Sequence, residues 1–185
     1  MKIHEELLTI NQYSRPGKPI VAVKAVVLHW VANPGQSAMG VRNYFEQRKA
    51  GKDSYGSAHY IIDVDGKAIQ CIPETEVSYN CGSKEYTKYA VELFGKVATS
   101  AASSPNYHTI AIELCHQDAT GKFTENTFQA AVELVNDICR RYNLDPAYQI
   151  TTHKNIVGWK NCPKYWVDHP SELQRFIMTV DRMIV

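Results

Sequence analysis

"SAHYIIDVDGKAIQCI", Ser57–Ile72, is the stretch whose reading decides the fold. Two short runs rich in β-branched and aromatic residues flank Asp65-Gly66, a dipeptide suited to the positive φ angles of a tight hairpin turn. An antiparallel pair is expected here. On either side the pattern changes. "AVKAVVLHW" (Ala22–Trp30) and "HTIAIELC" (His108–Cys115) are continuous apolar runs that read as strands buried on both faces, and "YQITTH" (Tyr148–His153) reads as a shorter strand.

Helical spacing fills the intervals. After Ser37, a suitable N-cap, Val41, Tyr44, Phe45 and Arg48 share a face that stops at Gly51. Tyr89, Leu93 and Val97 mark a second helix, and Phe128, Val132, Val135, Ile138, Cys139 and Tyr142 a third, with Arg140 and Arg141 at its C-terminal dipole. A last helix turns Leu173, Phe176, Ile177 and Val180 inward, with Ser171 and Gln174 as a capping box. Strands alternate with helices except at the hairpin. The expected fold class is therefore α/β: a single domain over residues 1–185 with a central mixed β-sheet flanked by helices.

Composition narrows the function. A net charge of +1 without a basic run gives no electrostatic drive toward nucleic acid or an anionic membrane, and no apolar stretch is long enough to span a bilayer. The first residues, "MKIHEELLTINQYSRPGK", carry acids where a signal peptide has its apolar segment, so a chain made in the cytoplasm without a signal peptide is expected, one that either stays inside or leaves by another route. Five cysteines, an odd number, argue against a disulfide framework. Cys115 and Cys139 lie in apolar patterns and read as small core residues. Cys71 and Cys81 leave their pairing open.

Cys162 differs. It sits in "THKNIVGWKNCPKYW" (Thr152–Trp166), between Lys160 and Pro163 in a polar loop that follows His153 at a strand end. His29 ends another predicted strand. Two imidazoles and a thiolate suit zinc, and three protein ligands leave a position open for chemistry. Strand-end histidines that are merely hydrogen-bonded are the competing reading. Glu113 is a lone carboxylate in an apolar strand. It either has a purpose there or reaches solvent from the other face. Lys160 taken alone reads as a surface lysine.

The stretches "VVLHWVAN", "SAHYIIDVDGKAIQCIP", "HTIAIELCH" and "THKNIVGWKNCPKYW" cover most of Val26–Trp166. Through them the chain resembles the zinc-dependent N-acetylmuramoyl-L-alanine amidases of the phage-endolysin type, whose fold is that of the peptidoglycan-recognition proteins. The resemblance implies a peptidoglycan hydrolase that cuts the amide between N-acetylmuramic acid and L-alanine. It implies Zn2+ held by His29, His153 and Cys162, a zinc-activated water with Glu113 as general base, and Lys160 beside the reacting carbonyl. Tyr79 and Asn80 stand where the family often has a Trp-His pair that shapes the substrate groove, and His59 lies on a strand that faces the site. The partner implied is bacterial peptidoglycan, met by a monomer, with no nucleic acid and no membrane. Wall-binding repeats, usual in such enzymes, are missing here, so the chain is expected to be the N-terminal catalytic part of a longer endolysin that reaches the wall after release. Relative to shorter members, Ser83–Tyr107 is an insertion expected to wall the groove, with Tyr86 or Tyr107 meeting substrate. His4, His108, His116 and His169 read as surface or loop residues. Three alternatives remain: a non-catalytic peptidoglycan-binding module, a thiol peptidase with Cys162 as nucleophile, and a purely structural zinc site completed by another ligand such as His59 or Cys81.

Overall fold

The computed structural model describes residues 2–51, 54–95 and 103–184. Among these, six strands form one mixed sheet. In chain order they are β1 (Ile3–Glu5), β2 (Ala25–Trp30), β3 (Tyr60–Ile62), β4 (Ala68–Gln70), β5 (Thr109–Leu114) and β6 (Ile150–Thr152). Their spatial order is β1-β4-β3-β5-β2-β6, with β3, β5, β2 and β6 parallel and β4 antiparallel to β3. Seven helices accompany them: α1 (Ala38–Gln47), α2 (Lys88–Phe94), α3 (Glu125–Tyr142), α4 (Pro146–Gln149), α5 (His153–Val157), α6 (Lys164–Asp168) and α7 (Pro170–Arg182).

The hairpin forms where expected. Gly66 holds φ +84°, its N–H donates to the Asp63 carbonyl, and Lys67 closes the turn by accepting from the Asp63 N–H. Beyond β4 the mixed sheet gains an edge strand that composition did not signal. β1 is a three-residue polar segment, Ile3-His4-Glu5, exposed throughout and defined by its parallel pairing with β4. Nothing in its pattern alternates strongly enough to announce it.

Side-chain alternation along β2 splits the core in two. Val26 and Leu28 face a large cluster with Ile110, Ile112 and Leu114 of β5, covered by α3 and α7. Ala25 and Val27 face the other way, under Ala90 and Phe94 of α2 and Ile156 and Val157 of α5. On that second face, farther along the sheet, Val41 and Phe45 of α1 cover Ile61, Ile69 and Ala111. One layer is thus continuous. The opposite layer is two separate helical packs, and the middle of the sheet lies between them.

Ser37, Thr87 and Thr124 cap α1, α2 and α3 by accepting the N–H three residues on, and Gly51 takes φ +73° beyond α1, as its sequence predicts. α7 departs from expectation. His169 precedes it without a side-chain cap and Pro170 opens the first turn, so Ser171 and Gln174 make no capping box. Arg141 does more than meet the α3 dipole. It donates two bonds to Glu74, whose carboxylate also accepts from Tyr60 and Tyr142, tying α3 to the chain just past β4. All five cysteines are free and buried, with Cys71 and Cys81 in different clusters. Val97 lies outside the described residues.

Phe176 is fully buried on the continuous layer, edge-on to Phe128 at 5.4 Å between centroids and 5.0 Å from Trp166. Phe176→Ala should lower the unfolding free energy by about 3–5 kcal/mol, the range for emptying an aromatic core site. Urea denaturation measures it, and a loss below about 1 kcal/mol would mean that α7 does not seal this core.

Candidate metal centre and active-site cleft

The gap between the two helical packs is a cleft of about 700 Å³ at the carboxyl ends of the parallel strands. Ligand sites of open α/β sheets lie there, because the loops leaving the strands diverge and expose backbone and side chains. Register decides what meets in it. His29 of β2 stands beside Glu113 of β5, and Leu28 pairs with Thr152 of β6, so His153 begins α5 one residue beyond that pairing. His29 and His153 approach edge-to-face, with ring centroids 4.9 Å apart.

Cys162 arrives from the loop. The loop folds back because Lys154 N–H donates to the Cys162 carbonyl and the Lys154 ammonium to the Gly158 carbonyl. The Cys162–Pro163 peptide is cis. Sγ of Cys162 lies 3.7 Å from Nδ1 of His29. One donor atom from each of His29, His153 and Cys162 lies within 4.8 Å of the other two, and all three residues are buried.

This arrangement fits a metal ion. Nε2 of His29 and Nδ1 of His153 are buried without a hydrogen-bond partner. Orphaned buried nitrogens are costly unless something fills them. Burial, then the neighbouring His153, then Lys160, hold His29 neutral by pushing its pKa well below the ordinary histidine value. Burial first, and then Lys160, push His153 down to about 3. Neutral imidazole is the form that binds metal. The Cys162 thiol is pushed up to about 12, chiefly by burial. Such a thiol stays protonated until a cation displaces the proton, so the set binds a metal as two neutral donors and one ionising one.

Glu113 is only partly exposed, and its Oε2 is buried and unpartnered at the cleft wall. Burial raises its pKa to about 8, against the lowering pull of Lys160. A carboxyl poised near neutrality can accept or return a proton. Lys160 is exposed on the cleft rim, and its charge acts on His29, Glu113, His153 and Cys162 alike.

Tyr79 and Asn80 also line the cleft. Tyr79 packs edge-on against Tyr55 at 5.2 Å, and the Asn80 amide donates to Ser78 and Thr109 while its Oδ1 lacks a partner. Of the inserted segment, residues 96–102 lie outside the described residues, and the rest contributes little to the cleft wall. Gly82 and Asn106, at or beside its ends, line the cleft, whereas α2 packs on α5. Tyr86 is half-buried in that pack, its hydroxyl accepting from the Ser83 N–H, and Tyr107 is not among the lining residues. Trp159 was not singled out in the sequence. It projects into the cleft mouth, two-thirds exposed, 6.5 Å from the His153 ring and donating to Ser83 Oγ. Its position just after Gly158, the α5 C-cap, and one residue before Lys160 is the signal that could have found it. His108 and His116 lie outside helices and strands, as loop residues do, but both are buried rather than at the surface. His116 stacks on Trp30 at 4.9 Å and bonds the Val31 and Asp118 carbonyls.

Residues 17–165 match the family model described as N-acetylmuramoyl-L-alanine amidase. CwlL of Bacillus licheniformis, an N-acetylmuramoyl-L-alanine amidase, is 34% identical over 194 residues, covering 100% of this chain and 48% of its own length. BlyA of Bacillus subtilis (strain 168), an amidase of the same name, is 33% identical over 170 residues, covering 92% of this chain and 43% of its own length. The chain thus spans about half the length of the curated relatives it matches. The solved structure of PlyL superposes with a TM-score of 0.74 at 22% identity, covering 97% of both chains, which bears on the fold.

His59 is not brought into the cleft. It is fully buried, its Nδ1 accepting from the Ala111 N–H and facing Ser78 Oγ, and its Nε2 meeting the Glu76 carbonyl. It braces β3 against β5 and the chain after β4. Burial lowers its pKa to about 4. A histidine depressed in the folded state stabilises fully above its unfolded value, about 6.5, and loses that contribution as pH falls toward 4. Unfolding free energy should therefore decline over that window by up to a few kcal/mol, and His59→Gln should flatten part of the decline. An unchanged slope in His59→Gln would assign the acid sensitivity to other groups.

Proposed function

Because the chain belongs to the N-acetylmuramoyl-L-alanine amidase family, we propose that it hydrolyses the amide joining N-acetylmuramic acid to L-alanine in bacterial peptidoglycan. The observation that carries this reading is the cleft itself: two orphaned imidazoles and a thiol converge beside a buried carboxyl and a lysine. His29, His153 and Cys162 would hold zinc, the ion favoured by a mixed nitrogen and sulfur set with three protein ligands. Bound there, zinc supplies Lewis acidity, polarising a carbonyl and making water a nucleophile near neutral pH.

The chain's own groups do the rest. Glu113 would accept a proton from the attacking water and return it to the departing alanine nitrogen, its ionised form favoured by Lys160 and by a cation bound beside it against the burial that raises its pKa. Lys160 sets a positive charge at the rim, where negative charge develops on the lactyl carbonyl oxygen. Tyr79, Tyr55 and Trp159 offer flat apolar surface to the glycan and the peptide stem. Asn80 offers an unpartnered amide oxygen. The high thiol pKa and 3% exposure of Cys162 weigh against its acting as a free nucleophile. In this reading the domain acts on the wall, and none of its described helices is long and apolar enough to cross a membrane.

Digestion of purified peptidoglycan should release new L-alanine amino termini without new reducing sugar ends. Reducing ends alone would assign a glycosidase activity. Purified protein should carry one zinc per chain, and Cys162→Ser should lose most of it; full retention would remove that residue from the ligand set. Glu113→Gln should keep fold and zinc while the rate drops by roughly two to four orders of magnitude, the usual worth of general acid–base help. Near-normal turnover in that variant would point to another proton acceptor.

A further inference from the structure

Trp159 is the most exposed large apolar side chain among the described residues, at 66%, and it lines the cleft. The other two tryptophans are covered: Trp166 is 3% exposed in the core, and Trp30 stacks on His116. An indole left in water forgoes the apolar burial that usually decides its place. Trp159 is nevertheless held. Its Nε1–H donates to Oγ of Ser83 at 3.1 Å, and its ring centroid lies 6.5 Å from that of His153.

The hold comes from the inserted segment. Thr87 N–H donates to the Ile156 carbonyl at 3.0 Å, and the Thr87 hydroxyl donates to the Asn155 carbonyl at 2.5 Å. The loop backbone lies against the same side chain: a Cβ on Gly158 would stand 3.2 Å from Cγ2 of Thr87. Three hydrogen bonds thus tie Ser83 and Thr87 to residues 155–159. One end of the indole is fixed, and its apolar body stays open at the cleft mouth. The groups next to it select a ligand by chemistry. Gly82 and Asn106 continue the wall from Ser83, and none of the three carries a charge; a Cβ on Gly82 would stand 3.4 Å from Nδ2 of Asn106. A pyranose ring suits such a place, because its C–H bonds form an apolar face while its hydroxyl and acetamido groups bond neutral polar partners.

We propose that Trp159 stacks on the pyranose ring of N-acetylmuramic acid, in a sugar subsite built jointly by the metal loop and the inserted segment. The proposal rests on the amidase reading above and goes beyond it by assigning the glycan to one wall of the cleft. In that reading Lys160, the next residue, lies beside the reacting carbonyl. N-acetylmuramic acid is joined to that carbonyl by one short lactyl ether arm, so its ring must rest close to Lys160 and within reach of Trp159. Trp159 is then a specificity-determining residue: by holding the sugar it aims the lactyl arm at His153 and its neighbours.

Two soluble probes test this with the full zinc-loaded chain: the disaccharide N-acetylglucosaminyl-N-acetylmuramic acid without peptide, and the stem peptide without sugar. Because the other tryptophans are covered, a change in emission reports Trp159. The disaccharide should shift the wild-type emission to the blue and the peptide should not. Trp159→Phe, which removes the fluorophore, should abolish the shift. With the intact disaccharide–peptide as substrate, Trp159→Ala should raise KM about tenfold while kcat changes less than about threefold. Trp159→Phe, which keeps a flat ring, should recover most of that loss. Ser83→Ala, which frees the indole, should raise KM roughly two- to fivefold. Zinc content should stay at that of wild type in all three variants, since a merely structural role would show as lost zinc or lower kcat at unchanged KM. That pattern, a disaccharide that leaves the emission unmoved, or a shift produced by the peptide instead would overturn the proposal. Failure of wild type to release an L-alanine amino terminus from the disaccharide–peptide would overturn the amidase reading instead, and the emission shift would still decide whether Trp159 binds sugar.

Discussion

The register of β2 against its two parallel neighbours is the constraint on which the site depends. It sets His29 beside Glu113 and brings the start of α5, with His153, next to both. Adjacent strands lie about 4.8 Å apart, and partnered residues point to the same face. A slip of one residue would turn His29 into the apolar cluster under α3. The slip is prevented by the alternation of Val26 and Leu28 against Ala25 and Val27, each pair buried under different helices. Packing on two faces therefore fixes the chemistry between them.

The same sheet explains why the cleft is where it is. α1 covers one part of the second face and α2 with α5 another, leaving the central strands uncovered at their carboxyl ends. Water is largely excluded there, which disfavours charge on every titratable group in the cluster. The imidazoles are held neutral and the thiol and Glu113 are held protonated. A bound cation reverses that bias for the thiol and for Glu113 while leaving the imidazoles as they are.

Much of this was legible in the sequence because it rests on short-range pattern. The Asp65-Gly66 hairpin, the two buried strands and the periodic face of α3 depend on local periodicity and turn chemistry. His29 and His153 were visible as polar residues at the ends of apolar strands, and Cys162 as the cysteine outside an apolar pattern. What stayed hidden depends on tertiary partners. β1 exists only through pairing with β4. His59 looks like a site residue until Ala111, Ser78 and Glu76 close around its ring. Arg48 reads as an ordinary helix-end arginine until Ser54 and Tyr44 close around its guanidinium. His116 is the loop residue its sequence suggests, and only the fold shows that Trp30 buries it.

X-ray absorption at the zinc edge of the purified, zinc-loaded chain tests the central claim most directly, because it reads the atoms around the ion rather than the consequence of binding. The account predicts one sulfur neighbour near 2.3 Å and two imidazole nitrogens near 2.0–2.1 Å, with the sulfur contribution lost in Cys162→Ser. A sulfur-free shell in the wild-type chain, or one with two or more sulfurs, would contradict the assignment of His29, His153 and Cys162 as the metal site.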